Sequence, residues 1–236
     1  NLRKALKDAV KDGTLLNNPI DRLISTPTAR RKEMETLTSE ERERLLALND
    51  EWTPLFTILS LTGLRVGEAL GLSWSSIVNM DKSDEAELMV KRTLGRVPLA
   101  PAGQRLDFKE PKTEMSRRTT PLTTRLVTAL KVQKVQAREG RDDLVFPDEK
   151  GGRMEPTRVN RALKRSLKKA GIEKHIRVQD LRHTAGSIMH QNGVSAKEIQ
   201  RILGHSNIQT TLDIYVHTNK QLLRDAMERG EAADMP

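Results

Sequence analysis

The sequence predicts an α+β fold that is mainly α, with one small antiparallel sheet inserted between helices. Apolar residues recur at helical spacing on both sides of the middle of the chain, and capping and stop residues bound these stretches. Residues 77–122 instead form short apolar segments separated by turn residues, which is typical of strands. The 236 residues suffice for one large domain or two modest ones.

A domain boundary is predicted near residue 33. Residues 1–16 have the pattern of the end of an amphipathic helix. The following "NNPIDRLISTPTARRKEME" carries two prolines and a basic cluster, which is typical of an extended linker. We therefore expect residues 1–32 to be the tail of a helical domain plus a linker, and residues 33–236 to form the main domain. Because Asn1 falls within a helical pattern, we also expect a longer protein.

Three helices are predicted between this boundary and the sheet. Thr38 and Glu41 have the spacing of a capping box, which marks a helix start. Thr53 and Pro54 suit the cap and the first turn of the next helix, which would end at Gly63. The stretch "LRVGEALGL" predicts a third, short helix.

About three antiparallel strands are predicted in the middle of the chain. They correspond to "ELMVKRTL", "QRLDFK" and "MSRRTTPL", with turn residues between them. The acidic "MDKSDEAE" falls at the first turn of this region. It lacks the glycine and the spacing of a calcium loop, which favours a solvated turn.

The second half of the chain returns to helical patterns. "TTRLVTALKVQKVQAREG" predicts one helix, and "PTRVNRALKRSLKKAG" predicts a strongly basic one. "DLRHTAGSIMHQNG" predicts a helix that starts at Asp180 as its cap. Ser195 with Glu198 has capping-box spacing, and so does Thr218 with Gln221.

Composition indicates a polyanionic partner. Lys and Arg number 41 against 32 Asp and Glu, which gives a formal charge of +9. The longest nearly apolar run, residues 54–64, is too short to span a membrane, so nucleic acid is the predicted partner. The scarcity of aromatic residues favours a duplex gripped by its backbone over a single strand held by stacking. The absence of cysteine excludes disulfides and thiolate metal sites and suits the cytoplasm or the nucleoid.

Chemistry on a phosphodiester would have to proceed without metal in this chain. Metal enzymes of this kind use clustered carboxylates, and the sequence shows no such cluster outside the acidic turn. Arginine is then the best ligand for the non-bridging oxygens, because its planar fork binds phosphate bidentately. A nucleophile and an acid for the leaving oxygen are also needed.

Several residues suit these roles, although each alone has an ordinary structural interpretation. Arg65 and Glu68 are three apart at a predicted helix start, which fits an exposed ion pair equally well. Arg182 lies in the first turn of another helix, where a solvated arginine is common. His205 follows the helix stop at Gly204, where histidine is often a cap or a surface residue. The remaining two are a turn lysine, Lys112, and the single tyrosine, Tyr215, which could be plain core.

Taken together, the segments resemble the catalytic domain of the tyrosine recombinases, the phage-integrase family. "TGLRVGEALGLSW" is similar to that family's first arginine motif, and "DLRHTAGSIM" to its second. "PKTEMSRRTTPL" resembles its strand-turn lysine motif, and "LGHSNIQTTLDIYVH" its histidine-to-tyrosine motif. The four motifs occur in the family's order over residues 37–220. Residues 1–32 then resemble the tail of the helical core-binding domain that precedes the catalytic domain in the family.

The resemblance implies a metal-free and ATP-free reaction with no cofactor. Arg65 and Arg182 would hold the scissile phosphate, and His205 would donate a hydrogen bond to it. Lys112 would protonate the departing 5′-oxygen, while Tyr215 attacks and forms a 3′-phosphotyrosine. Glu68 and His183 would support the phosphate-binding groups. The family usually has histidine three residues before the second arginine, whereas this chain has Gln179, which cannot take a proton near neutral pH.

The resemblance also implies double-stranded DNA sites as partners, bound by a tetramer on two sites, and it allows accessory DNA-bending proteins. The basic helix would add cations to the DNA-facing surface, with a solvated face as the alternative: Arg158, Arg161, Lys164, Arg165 and Lys168. Two other functions stay open at this point. A type IB topoisomerase shares the same constellation, and a non-enzymatic regulator could use residues 194–215 as a helix-turn-helix.

Overall fold

A computed structural model describes residues 2–22, 35–97, 106–110, 117–136 and 143–215 of the chain. The side chains of Arg3, Arg22, Ser83 and residues 213–215 fall outside this description. The chain divides into two compact units, residues 1–34 and 35–236. The first unit contains helix α1, Leu2–Lys11, in agreement with the predicted amphipathic helix, and a 3-10 turn at Pro19–Arg22.

The second unit is mainly helical. Its described helices α2 to α8 occur where the sequence patterns predict them: α2 Ser39–Leu46, α3 Thr53–Thr62, α4 Val66–Leu70, α5 Thr124–Gln136, α6 Pro156–Lys169, α7 Val178–Gln191 and α8 Ala196–Leu203. Helix α9, Ile208–Tyr215, is predicted only by the helix-turn-helix alternative. Within the described ranges, no helix has both the length and the apolar character needed to cross a membrane. The predicted capping pair Thr218 and Gln221 lies outside the described residues.

The predicted antiparallel insertion is confirmed, but its strands divide between two sheets instead of forming one. Strands β1 (Ile77–Val78), β2 (Glu87–Met89) and β5 (Thr119–Pro121) form an antiparallel sheet in the order β1-β2-β5. Strands β3 (Thr93–Arg96) and β4 (Leu106–Lys109) form a separate antiparallel pair.

The predicted strand "ELMVKRTL" is therefore broken between β2 and β3. The Nε of Arg92 donates a hydrogen bond of 2.9 Å to the carbonyl of Gly71, at the end of α4. The Arg92 guanidinium also lies 3.8 Å from the centre of the Phe108 ring on β4. These contacts hold the β3–β4 pair against α4, so β3 does not continue in line with β2.

Two helix starts differ from the predictions. Thr53 is the first residue of α3 and not its cap, because its hydroxyl interacts with Asp50 in the preceding turn. Asp180 is the third residue of α7, whose N-cap is Arg177. Its carboxylate accepts the Arg177 backbone N–H at 2.8 Å, so Asp180 stabilises the helix start from inside the first turn.

Other start and stop signals are confirmed. Thr38 with Glu41 and Ser195 with Glu198 both form complete capping boxes at the starts of α2 and α8. Gly63 ends α3 in the left-handed region, as its position after the apolar run predicts.

Helix α3 lies at the centre of the second unit and is buried on nearly every side, with α5 and α7 packed against it. It is apolar throughout, which is the composition expected of a helix surrounded by other elements. Its C-terminal end therefore lies deep in the unit, next to α7. The segment that carries Arg65 begins at this end.

Gly63 permits a close approach of three helices at that end. Its φ is +64°, and a Cβ added there would lie 2.2 Å from Leu203 Cδ2 on α8 and 3.5 Å from Ala185 Cβ on α7. Any side chain would therefore strain the backbone and also push α8 away from α3.

We predict that Gly63→Ala destabilises the protein by about 2–4 kcal/mol, because positive φ and steric overlap add at one position. Gly193→Ala is the matched control, since Gly193 also follows a helix at positive φ but has nothing within 4 Å of an added Cβ. It should cost roughly 1 kcal/mol. Urea unfolding measures both free energies, and equal losses would contradict the packing argument.

Candidate active site

Arg65 is the N-cap of α4, two residues after the left-handed Gly63. Its backbone N–H and one guanidinium nitrogen, Nη1, both bind the carboxylate of Glu68, at 2.9 and 2.7 Å. Glu68 is therefore the helix-capping carboxylate and the ion-pair partner at once. The Arg65 side chain nevertheless keeps 41% of its surface exposed.

A second arginine binds the same carboxylate, and the sequence patterns gave no sign of it. Arg118, just before β5, places Nη2 3.0 Å from Glu68 Oε2. Both side chains are buried, at 8% exposure for Arg118 and 5% for Glu68. Burial raises the pKa of the Glu68 carboxyl, but the neighbouring Arg118 and the hydrogen bonds from Arg65 outweigh it, so that the pKa is lowered. Glu68 is thus a carboxylate at neutral pH.

The sequence predicts a solvated Arg182 in a first helical turn, whereas Arg182 is buried as the fifth residue of α7. Its residue exposure is 1%, and Nη1 donates a 2.6 Å hydrogen bond to the carbonyl of Gly63. Burial, together with the charges of Arg65 and Arg118, lowers its pKa to about 9 against the opposing effect of Glu68.

The other terminal nitrogen of Arg182, Nη2, is buried and has no hydrogen-bond partner among the described residues. A buried cationic donor of this kind is costly unless an acceptor satisfies it. An anion that reached Nη2 would therefore be bound strongly.

His205 follows Gly204, which ends α8 in the left-handed region at φ +68°. The His205 side chain is buried, and its Nδ1 lies 2.8 Å from the hydroxyl of Thr211 on α9. Burial, followed by the charges of Arg182, Arg65, His183 and Arg118, lowers the pKa of His205 to about 4. The ring is therefore neutral near pH 7 and can act as a hydrogen-bonding group without adding charge.

His183, next to Arg182 on α7, is half-buried, and its Nδ1 has no hydrogen-bond partner in the part of the chain that the structure describes. Burial lowers the pKa of its imidazole. Gln179 is exposed in the first turn of α7, one turn before Arg182. The described residues thus bring Arg65, Arg182 and His205 into one electrostatic cluster, since each arginine perturbs the histidine.

Two predicted residues fall wholly or partly outside the description. Lys112 lies outside the described residues. Tyr215 is the last residue of α9, and its side chain is not described. Helix α9 packs against both α7 and α8, the helices that carry Arg182 and precede His205.

The five cations predicted on α6 do not all share one surface. Arg161, Lys164 and Lys168 are exposed and line a cavity of about 690 Å³, together with His175 and Arg177. Arg158 instead pairs with Glu149 and lines a different cavity. The fifth, Arg165, is exposed.

Among the described residues, no group of His, Asp and Glu has an arrangement that could hold a metal ion. Among the described residues, the charges that shift the pKa of Arg182 and His205 come from arginines, a histidine and the carboxylate of Glu68, a set suited to binding an anion.

The fold and the site define a mainly helical domain with small antiparallel sheets and a buried arginine–histidine cluster suited to binding a phosphate group. Residues 30–222 match the sequence model of the phage integrase family, which is most of the chain. The chain therefore belongs to the phage integrase family, the tyrosine recombinases.

Curated relatives agree with this assignment. A tyrosine recombinase XerC-like protein of Caldanaerobacter subterraneus subsp. tengcongensis is 29% identical over 243 residues, covering 93% of this chain and 61% of the relative. Tyrosine recombinase XerD of Listeria innocua is 28% identical, covering 97% of this chain and 73% of the relative. The chain thus spans about three fifths of the length of the first relative and about three quarters of the second.

Solved structures confirm the predicted fold class. The integrase of the Tn1549 transposon, in complex with a circular intermediate DNA, superposes with a TM-score of 0.77 at 24% identity, over 96% of this chain and 76% of that one. The XerA recombinase superposes with a TM-score of 0.63 at 27% identity, over 96% and 73% of the two chains.

The depressed pKa of His205 predicts a pH-dependent stability. The folded state binds this proton only near pH 4, whereas an unfolded histidine binds it near 6.5, so the unfolded state gains protons first as pH falls. The contribution of His205 to stability is therefore full above pH 6.5 and is lost towards pH 4. Urea unfolding from pH 7 to 4.5 should show a smaller loss in His205→Gln than in the unchanged protein, and parallel curves would contradict the assignment.

Proposed function

We propose that this chain is the catalytic part of a site-specific DNA recombinase that cuts and rejoins DNA without metal or ATP. The observation that carries the proposal is Arg182, a buried guanidinium held by the Gly63 carbonyl, with one nitrogen left without a partner among the described residues. Its position beside Arg65 and a neutral His205 makes a preorganised receptor for one phosphodiester.

In this proposal the two arginines bind the non-bridging oxygens of the scissile phosphate. Arg182 is rigid and buried, and Arg65 is partly exposed and oriented by Glu68. Negative charge on these oxygens grows as the pentacovalent transition state forms, so fixed cations stabilise that state more than the bound substrate. His205 donates a hydrogen bond to the same phosphate. Glu68 and His183 support these groups.

Tyr215 is the proposed nucleophile. The phenol gives its proton to solvent, and its oxygen forms a bond to phosphorus as the bond to the 5′-oxygen breaks. Lys112 gives that departing 5′-oxygen a proton. The product is a 3′-phosphotyrosine, which keeps the bond energy of the phosphodiester. Attack by a 5′-hydroxyl on this linkage reverses the steps and rejoins a strand. The chain has one tyrosine in 236 residues, so no other phenol competes for the role.

The proposed substrate is a pair of double-stranded DNA sites. The Tn1549 integrase is in complex with a circular intermediate DNA, the XerH recombinase is bound to its difH substrate, and λ integrase is bound to a COC′ core site. The formal charge of +9 and the exposed cations Arg161, Lys164, Arg165 and Lys168 of α6 support binding to the phosphate backbone.

We extend the proposal to the assembly and to the ends of the chain. A tetramer on two sites, with or without DNA-bending proteins, would act at the bacterial nucleoid. Residues 1–32 would be the tail of a core-binding domain, and residues 33–236 the catalytic domain.

The relatives are named as recombinases and integrases, which disfavours a topoisomerase or a regulator. A specific feature also argues against a regulator that uses α8 and α9 as a helix-turn-helix. The Gly204 turn between these helices holds the buried His205, whose ring contacts Thr211. A regulator has no use for a buried histidine beside two arginines.

We predict that Tyr215→Phe abolishes covalent attachment to DNA and leaves non-covalent binding nearly unchanged. The substitution removes only the attacking oxygen. Because the recognition sequence is unknown, the probe is a library of randomised duplexes that carry a nick near the centre. After cleavage, the short fragment with the free 5′-hydroxyl dissociates from the duplex, so the strand cannot be rejoined and the covalent adduct accumulates. Protein–DNA adducts are recovered after denaturation and sequenced, and gel retardation of the recovered duplex measures binding.

Adducts that persist with Tyr215→Phe would exclude this phenol as the nucleophile. A complete lack of adducts with the unchanged protein, despite binding of the duplexes, would favour a non-enzymatic DNA-binding protein. Relaxation of supercoiled DNA without exchange between two recovered sites would favour a topoisomerase.

We predict that Gln179→His leaves the cleavage rate equal or higher. Gln179 is exposed one turn before Arg182, and a histidine there could accept the phenol proton near neutral pH. Single-turnover cleavage of the recovered duplex measures the rate. A clear loss of cleavage would contradict the equivalence of Gln179 with the family's usual histidine.

A further inference from the structure

Arg118 is a buried charged residue to which the proposed reaction assigns no part. Its side chain is 8% exposed, and its guanidinium bridges two elements of the cluster. Nη2 binds Glu68 Oε2 at 3.0 Å on α4, and Nε donates to the carbonyl of Ile202 at 2.9 Å on α8. Burial of an arginine is expensive unless its donors are satisfied, so these contacts define its conformation.

The contact between Arg118 and Glu68 affects which nitrogens of Arg65 remain available to bind a phosphate. Glu68 is buried, and a buried carboxylate requires compensating positive charge. Because Arg118 supplies part of that charge, Arg65 binds Glu68 through one terminal nitrogen, and its side chain stays 41% exposed. Without Arg118, Arg65 would be the remaining described cation bonded to Glu68, and a two-nitrogen pairing would turn its fork away from a phosphate.

The contact with Ile202 affects His205. Ile202 lies in the last turn of α8, where backbone carbonyls have no partner within the helix. His205 comes three residues later, after the Gly204 turn. A hydrogen bond from a buried arginine to the Ile202 carbonyl therefore fixes the helix end from which His205 projects.

Arg118 is itself held by the sheet. Its own carbonyl accepts the Val90 N–H at 2.9 Å, directly before β5 pairs with β2. The guanidinium thus projects from a rigid strand end and not from a loose loop. The side chain that connects α4 to α8 is therefore anchored by the backbone of the sheet.

We propose that Arg118 is a positioning residue for the phosphate-binding groups, which sets Arg65 through Glu68 and His205 through Ile202. The inference rests on the proposed function, because it assumes that Arg65 and His205 bind the scissile phosphate. Arg118 does not touch the phosphate in this account. Its loss should therefore slow the chemical step more than it weakens DNA binding.

The test uses the full chain and the nicked duplex recovered by covalent capture. Arg118→Gln should slow formation of the covalent adduct at saturating protein by about 100-fold, since small misplacement of catalytic groups has effects of this size. DNA affinity should stay close to that of the unchanged protein. Arg125→Gln is the matched control, because Arg125 forms a two-nitrogen ion pair with Glu43 that is largely exposed, and its loss should leave the rate unchanged.

A second variant covers the case in which Arg118→Gln fails to fold. Arg118→Lys keeps the positive charge beside Glu68 but cannot reach Glu68 and Ile202 with one planar fork. We expect a folded protein, judged by its circular dichroism and thermal midpoint, with a rate reduced by about 10-fold. A wild-type rate in Arg118→Lys would overturn the proposal.

A double-mutant cycle separates positioning through Arg65 from an independent effect. In an Arg65→Lys background, Arg118→Gln should add little further loss of rate, because the group that it positions has already been changed. If the rate losses of the two single variants multiply fully in the double variant, the role of Arg118 through Arg65 is overturned. If the unchanged protein forms no adduct at all, the proposed function itself fails. If it forms adducts and both Arg118 variants behave like Arg125→Gln, only this inference fails.

Discussion

The ion pairs of Glu68 are the interaction on which the rest of the site depends. Three guanidinium groups converge near this buried carboxylate, and two of them bind it directly. Like charges at close range disfavour ionisation, and the pKa of Arg182 falls to about 9 as a result of burial and these neighbours. Glu68 opposes that fall. One carboxylate against three guanidinium groups leaves an excess of positive charge, which favours an anion in the cluster.

The same residues that end the helices also build the site. Gly63 ends α3 in the left-handed region, its carbonyl holds Arg182, and its missing side chain admits Leu203 of α8. Gly204 ends α8 in the same conformation, and the buried His205 follows it directly. Helix ends leave backbone groups without partners within the helix, and here the arginine side chains bind two of those carbonyls. The fold and the receptor are therefore stabilised by shared contacts.

Local signals in the sequence predicted most helices, and the order of the four motifs predicted the family. Capping boxes such as Ser195 with Glu198 are contained within four residues, so a linear pattern reveals them. The burial of Arg182 could not be predicted this way, because it arises from the approach of Gly63, 119 positions away in the chain. Arg118 was missed for the same reason, since its partners Glu68 and Ile202 are 50 and 84 positions away. The division into two sheets likewise depends on the distant contact between Arg92 and Gly71.

The neutral state of His205 bears on how a phenol would be activated in the proposed reaction. A ring with a pKa of about 4 accepts a proton poorly near pH 7, and Gln179 cannot accept one at all. Neither group is then an effective base for Tyr215. The cationic cluster remains, because positive charge favours the ionised form of an attacking oxygen and also stabilises the charge that it brings to the phosphate. Arg65 is positioned by Glu68 and Arg118, and Arg182 is held by the Gly63 carbonyl. These positions would then govern both binding of the phosphate and activation of the nucleophile.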